Sequence, residues 1–173
     1  MPKLTPTEKT KVRAAISNYC ERAEAARLAW YYAQIRPYSG LGIAPELHHV
    51  DDCSAYVALA FNWAMHETGI YLLDPLNERY SGLGNTATEY AFLKPHPAPA
   101  GKYLVGDMAI FGTEWHTVHT SICRKAGTAK TAVFSSNGHE NWVFALDAPE
   151  PISLDAEMFK QNLVGVFRHP QLL

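Results

Sequence analysis

One stretch constrains the rest of the chain: Asp51-Asp52-Cys53-Ser54-Ala55-Tyr56-Val57-Ala58-Leu59-Ala60-Phe61-Asn62-Trp63-Ala64-Met65. It reads as a helix with a cysteine in its first turn. Asp51 or Asp52 can accept a hydrogen bond from the unpaired amides at the helix start, so either serves as N-cap. Apolar residues at Tyr56, Val57, Ala60, Phe61 and Ala64 form a buried helical stripe. Gly69 is the natural stop. At such a position the positive end of the helix dipole favours the thiolate over the thiol, and the thiolate is the nucleophile. The plainer alternative is a small buried hydrophobe, as free cysteines usually are.

The remaining cysteines, Cys20 and Cys123, leave an odd and widely spaced set of three, neither a disulfide framework nor a zinc ribbon. Reduced thiols are expected. A net charge of -2 gives no electrostatic footprint for nucleic acid. No run approaches the ~18 apolar residues of a spanning helix. Met1-Pro2-Lys3-Leu4-Thr5-Pro6 lacks the apolar core of a signal peptide, so synthesis in a cytosol is expected. At 173 residues the chain is read as one domain, residues 1–173.

Upstream of the cysteine, Thr5-Pro6-Thr7-Glu8 starts a first helix. Thr5 is the cap, Pro6 the first helical residue and Glu8 the far end of a capping box. This helix is expected to run to about Ile35, with Trp30-Tyr31-Tyr32 packing as core and Arg36-Pro37 ending it. Residues 37–50 read as an irregular loop holding His48 and His49, which are expected to be solvated. A long loop over about residues 70–100 contains Gly82-Leu83-Gly84-Asn85-Thr86 and is read as a cleft wall, with a short helix from Thr86 to Phe92.

The second half reads as strands: 106–111, 117–123, 131–135, a weaker one at 142–145, and 163–168. A small helix capped by Ser153 is expected over 153–161. Helices first and strands afterwards imply α+β, with the cysteine helix packed on an antiparallel sheet.

A cysteine nucleophile needs a base, and the base needs a group that holds its tautomer. His119 offers the base from the strand 117–123. His116 is an odd offset away, so in a regular strand the two rings point to opposite faces. The His116–His119 pair would suit a metal only on a helix, so no metal site is expected. Asn137 can orient the imidazole through its amide oxygen, with His139 and Glu140 as competing candidates.

These residues resemble the NlpC-type cysteine peptidases, papain-like enzymes that cut bacterial cell-wall peptides. Asp52-Cys53-Ser54 before a helix is similar to their nucleophile motif. Gly106-Asp107-Met108-Ala109-Ile110-Phe111 followed by His119-Thr120-Ser121-Ile122 is similar to their strand–histidine–strand block. The likeness extends to the peptidase modules of phage endolysins against actinobacteria. It rests on Arg36-Pro37, Asp74-Pro75, the Gly82–Thr86 loop and Ser136-Asn137-Gly138-His139-Glu140, and covers about residues 30 to 170.

The resemblance implies a papain-like fold with a sheet of about five or six strands. It implies a catalytic set of Cys53, His119 and Asn137, with Tyr38, Asp52 and Ser54 on the substrate and oxyanion side. It implies peptidoglycan as the partner, no organic cofactor, a monomer, and action on the wall after release from the host cytoplasm. A peptidoglycan amidase and a papain-like acyltransferase or deamidase share this chemistry. A catalytically inactive wall-binding or phage structural module is the reading from another class.

Overall fold

The capping box read at Thr5 is in place, and it starts the first helix. In this computed structural model the described residues are 3–38, 43–47, 49–138, 150–153 and 162–173. Helix α1 spans Pro6–Ala25; Thr5 accepts from the Glu8 amide while the Glu8 carboxylate accepts from the Thr5 amide. It is shorter than expected. The chain turns at Ala26, makes one 3-10 turn over Arg27–Ala29, and continues as strand β1, Trp30–Tyr32. Aromatic residues favour strands once a partner strand exists. Here the partner is β2, His49–Asp51, which pairs with β1 in parallel. A helix read from local pattern alone therefore runs too far.

Helix α2 spans Cys53–Thr68, with Asp52 as cap and Gly69 in the left-handed conformation at its end. Its residues from Cys53 to Phe61 are all buried. A helix apolar on all sides needs cover on all sides. α1 supplies Val12, Ile16, Tyr19 and Cys20 to the same core cluster, with the Tyr19 ring 5.6 Å from Tyr56 and 6.4 Å from Trp63. Burying a side chain the size of Phe61 or Leu59 contributes about 1.5–3 kcal/mol, so this contact dominates the helical half.

The sheet also packs on α2, through its strands His116–Lys125 and Val133–Ser136. Strands β3 (Asp107–Thr113), β4 (His116–Lys125), β5 (Val133–Ser136), β6 (Glu150–Ser153) and β7 (Leu163–Arg168) lie in the order β6-β5-β4-β3-β7, and every neighbouring pair is antiparallel. Alternation along the strands sorts the side chains. Met108, Ile110, Ile122 and Phe167 join the core shared with α1 and α2, while Ala109, Phe111, Cys123, Phe134 and Val166 form a second cluster. Asp107 and Arg168 are register partners and make a bidentate ion pair with both contacts at 2.7 Å.

The expected α+β class holds. Helix α3, Thr86–Leu93, sits where a short helix was read, capped by Asn85. Ser153 is the last residue of β6, where it pairs with Val133. The strand read at 142–145 and the body of the helix read at 153–161 lie outside the described residues. Among the described residues no helix is long and apolar enough to cross a membrane.

His169 closes the C-terminal end. Its ring lies 5.0 Å from Phe61 and 5.7 Å from Phe92, with Nδ1 accepting from the Gln171 amide and Nε2 facing the Leu73 carbonyl. Burial pushes its pKa down from 6.5 to about 3. The fold thus refuses a proton that the unfolded chain accepts. The resulting stability is fully present above pH 6.5 and is lost as pH falls toward about 3. Thermal unfolding followed across this range should show His169→Gln less stable than the natural chain above pH 6.5, with the gap narrowing at acid pH.

Candidate active site

Asp52 builds the start of α2. One carboxylate oxygen accepts from the Ala55 amide at 3.0 Å and the Ser54 hydroxyl at 2.9 Å. The other takes an Arg36 guanidinium nitrogen at 2.7 Å, and that nitrogen also donates to Ser54 Oγ at 2.9 Å. Arg36 Nε donates to the Gly84 carbonyl at 2.8 Å. Arg36 thus ties the residues on either side of Cys53 to the glycine loop. Asp52 and Ser54 fix the backbone on either side of Cys53 through these bonds.

Cys53 lies on the wall of a cleft of about 570 Å3, beside Arg36 and Asp52. Asn85, Thr86 and Ala87 line it too, so the loop read as a cleft wall is one. The third side is β4, through His116, Thr117 and Val118. Cys53 is only 3% exposed, yet it reaches this space. Its sulfur is 3.9 Å from Thr86 Oγ1. Burial pushes the other two thiols, Cys20 and Cys123, up to about 12.

The start of β4 is not a regular strand. β3 and β4 run in register as far as Phe111 opposite His119, then slip, with Gly112 opposite Thr117 and Thr113 opposite His116. Val118 is the extra residue of a β-bulge. Gly112 permits it: its φ is +116°, and a Cβ there would sit 2.4 Å from the His116 carbonyl oxygen. The bulge removes the odd offset expected between the histidines. His119 lies opposite Phe111 and His116 opposite Thr113. His116 is exposed and lines the cleft. His119 follows Val118, is 7% exposed, and places its ring 5.8 Å from Phe111.

Asn137 is brought to the segment that leads into α2 rather than to the imidazole. Its Nδ2 donates to the Asp51 carbonyl at 2.6 Å and lies 3.5 Å from the Tyr31 carbonyl. Its Oδ1 is buried and has no hydrogen-bond partner among the described residues. The expected bond to His119 is therefore not formed. The cause is the sheet's alternation: Asn137 is two residues past Ser135, whose hydroxyl meets Tyr56 of α2 at 2.8 Å, whereas His119 faces Phe111. The competing candidates His139 and Glu140 lie outside the described residues, as does His48.

Two expectations about neighbouring residues change. Tyr38 does not line the cleft: it is buried in the main core, its amide donates to the Gly82 carbonyl at 2.8 Å, and burial pushes its phenol up. His49 is not solvated. It is fully buried in β2, stacked 4.1 Å from Trp30, with Nδ1 3.3 Å from Asp51 and Nε2 2.9 Å from the Ala44 carbonyl. It props the backbone that leads into α2. Among the described residues no three His, Cys, Asp or Glu side chains form a metal-holding group.

Sequence reading missed Glu89. It is fully buried on α3, one turn after Thr86, and its Oε1 accepts from Thr120 Oγ1 at 3.2 Å. Burial first, and then the neighbouring Cys53, push its carboxyl well above the usual range. The available signal was an acid beside the apolar run Tyr90-Ala91-Phe92-Leu93, three residues after a threonine on the same helix face.

A scan against protein-family models finds no match to this chain, and a search of curated proteins finds none.

Two outcomes follow from this geometry. Alkylation near neutral pH, mapped by mass spectrometry, should label Cys53 ahead of Cys20 and Cys123, both fully buried. Asp52→Ala should cost about 2 kcal/mol in denaturant unfolding, because it removes a helix cap and the carboxylate that pairs with Arg36.

Proposed function

We propose that this chain is a papain-like cysteine peptidase that hydrolyses peptide bonds in the stem peptides of bacterial cell wall, in the manner of a phage endolysin. The observation that carries the reading is Cys53 in the first turn of α2, on the wall of a cleft whose other side is the histidine-bearing start of β4. A nucleophile helix packed on an antiparallel sheet is the arrangement expected of a papain-like fold. The Asp-Cys-Ser, glycine-loop and strand–histidine motifs supply the wall-peptide substrate class by resemblance.

The steps are those of acyl transfer. The Cys53 thiolate attacks the peptide carbonyl. A histidine of β4 takes the thiol proton and returns it to the leaving amine: His119 by the resemblance, or His116, which lines the cleft. The Cys53 backbone N–H at the helix start stabilises the oxyanion. Water then hydrolyses the thioester and frees the enzyme. Asn137 serves this chemistry by holding the Asp51 carbonyl, two residues before the nucleophile.

A second reading has its own observation: His116, not His119, lines the cleft with Cys53. The experiment is digestion of purified actinobacterial wall, with the released fragments read by mass spectrometry. New amino termini inside the stem peptide are expected from the natural chain and from His116→Ala. Cys53→Ala and His119→Ala should lower the rate by at least about a thousandfold while the fold survives. Loss in His116→Ala with retention in His119→Ala moves the base to His116. Sugars freed of peptide mean an amidase, and full activity in Cys53→Ala removes the nucleophile. Asn137→Ala, His139→Ala and Glu140→Ala, run in the same assay, assign the group that orients the ring.

A further inference from the structure

Helix α3 touches both halves of the proposed machinery through one face. Thr86, its first residue, meets the Cys53 sulfur at 3.9 Å, and Glu89, one turn on, meets Thr120 at 3.2 Å. Thr120 is the residue after His119. The Glu89 side chain is fully buried, and its second oxygen, Oε2, has no hydrogen-bond partner among the described residues. A carboxylate sealed from water with one oxygen unpaired is strongly disfavoured; the protonated acid is not. The Thr120 hydrogen bond favours the anion, but the ionisable groups that act on it, Cys53, Asp74 and Asp52, are all anionic when ionised and, with burial, favour the uncharged acid.

We propose that Glu89, as an uncharged carboxylic acid, is a positioning residue: it ties α3 to β4 beside His119 while placing no negative charge next to the Cys53 thiolate. An ionised Glu89 would oppose formation of that thiolate by like-charge repulsion. The uncharged acid keeps the shape and the Thr120 bond without that penalty. Its place three residues after Thr86 on a helix explains why an acid occupies a buried site: it accepts from Thr120 across the gap between α3 and the sheet.

The inference rests on Cys53 as nucleophile but not on wall peptide as the substrate. The experiment therefore has two readouts, wall hydrolysis and the pH dependence of Cys53 alkylation by iodoacetamide, in the natural chain, Glu89→Gln and Glu89→Ala. Glutamine is uncharged, has the same size and keeps an acceptor for Thr120. Glu89→Gln should hydrolyse wall within about threefold of the natural rate, and its alkylation profile should superimpose on the natural one. Glu89→Ala should lose at least about tenfold in kcat with KM within about twofold, because Glu89 touches the framework and not the substrate.

The proposal is overturned if Glu89→Gln is as impaired as Glu89→Ala. It is also overturned if Glu89→Gln speeds Cys53 alkylation about tenfold near neutral pH, since the natural residue would then be an anion. Should Glu89→Ala fail to fold, Glu89→Gln decides alone. Should the natural chain leave wall intact, the alkylation profiles still decide, and only the substrate reading falls.

Discussion

The interior of α2 governs the molecule. From Cys53 to Phe61 the helix buries every side chain, so neighbouring elements must cover it on all sides. α1 and the sheet both pack on it, and α3 meets its start through Thr86. A helix enclosed in this way has only its ends free to meet solvent. Its N-terminus, where the dipole is positive, opens into the cleft. The placement of Cys53 is a consequence of burying the rest of its helix.

Precision at that end comes from polar bonds rather than packing. Asp52 caps the helix, Arg36 joins Asp52 and Ser54 to the glycine loop, and Asn137, the residue after β5, holds the Asp51 carbonyl. His49 and Trp30 stack beneath the same backbone. Four separate parts of the chain thus fix one short segment. Each bond is modest alone, and together they remove the freedom of the residues flanking the sulfur.

The sheet contributes a different device. A regular β4 would turn His116 and His119 to opposite sides. The bulge at Val118, permitted by Gly112, breaks that alternation, with His116 at the cleft and His119 against Phe111. The same alternation directs Asn137 toward α2 and away from the imidazole. Here the number of residues between two side chains matters less than whether the strand between them is regular.

Much of this was legible in the chain. Both N-caps, the stop at Gly69, the short helix at Thr86 and the α+β order were readable because each depends on residues within a few positions of one another. The strand at Trp30–Tyr32 was not, because its partner lies at His49–Asp51 and only pairing makes it a strand. The bulge, the burial of His49 and Tyr38, the turn of Asn137 toward α2 and the sealed carboxyl of Glu89 all required the tertiary structure. Each depends on what a side chain meets across space, and local pattern carries no record of that. By itself the sequence determined the helix that Cys53 begins and its cap; the tertiary structure decided which distant groups surround the sulfur, because sheet register and helix packing are set by contacts far apart in the chain.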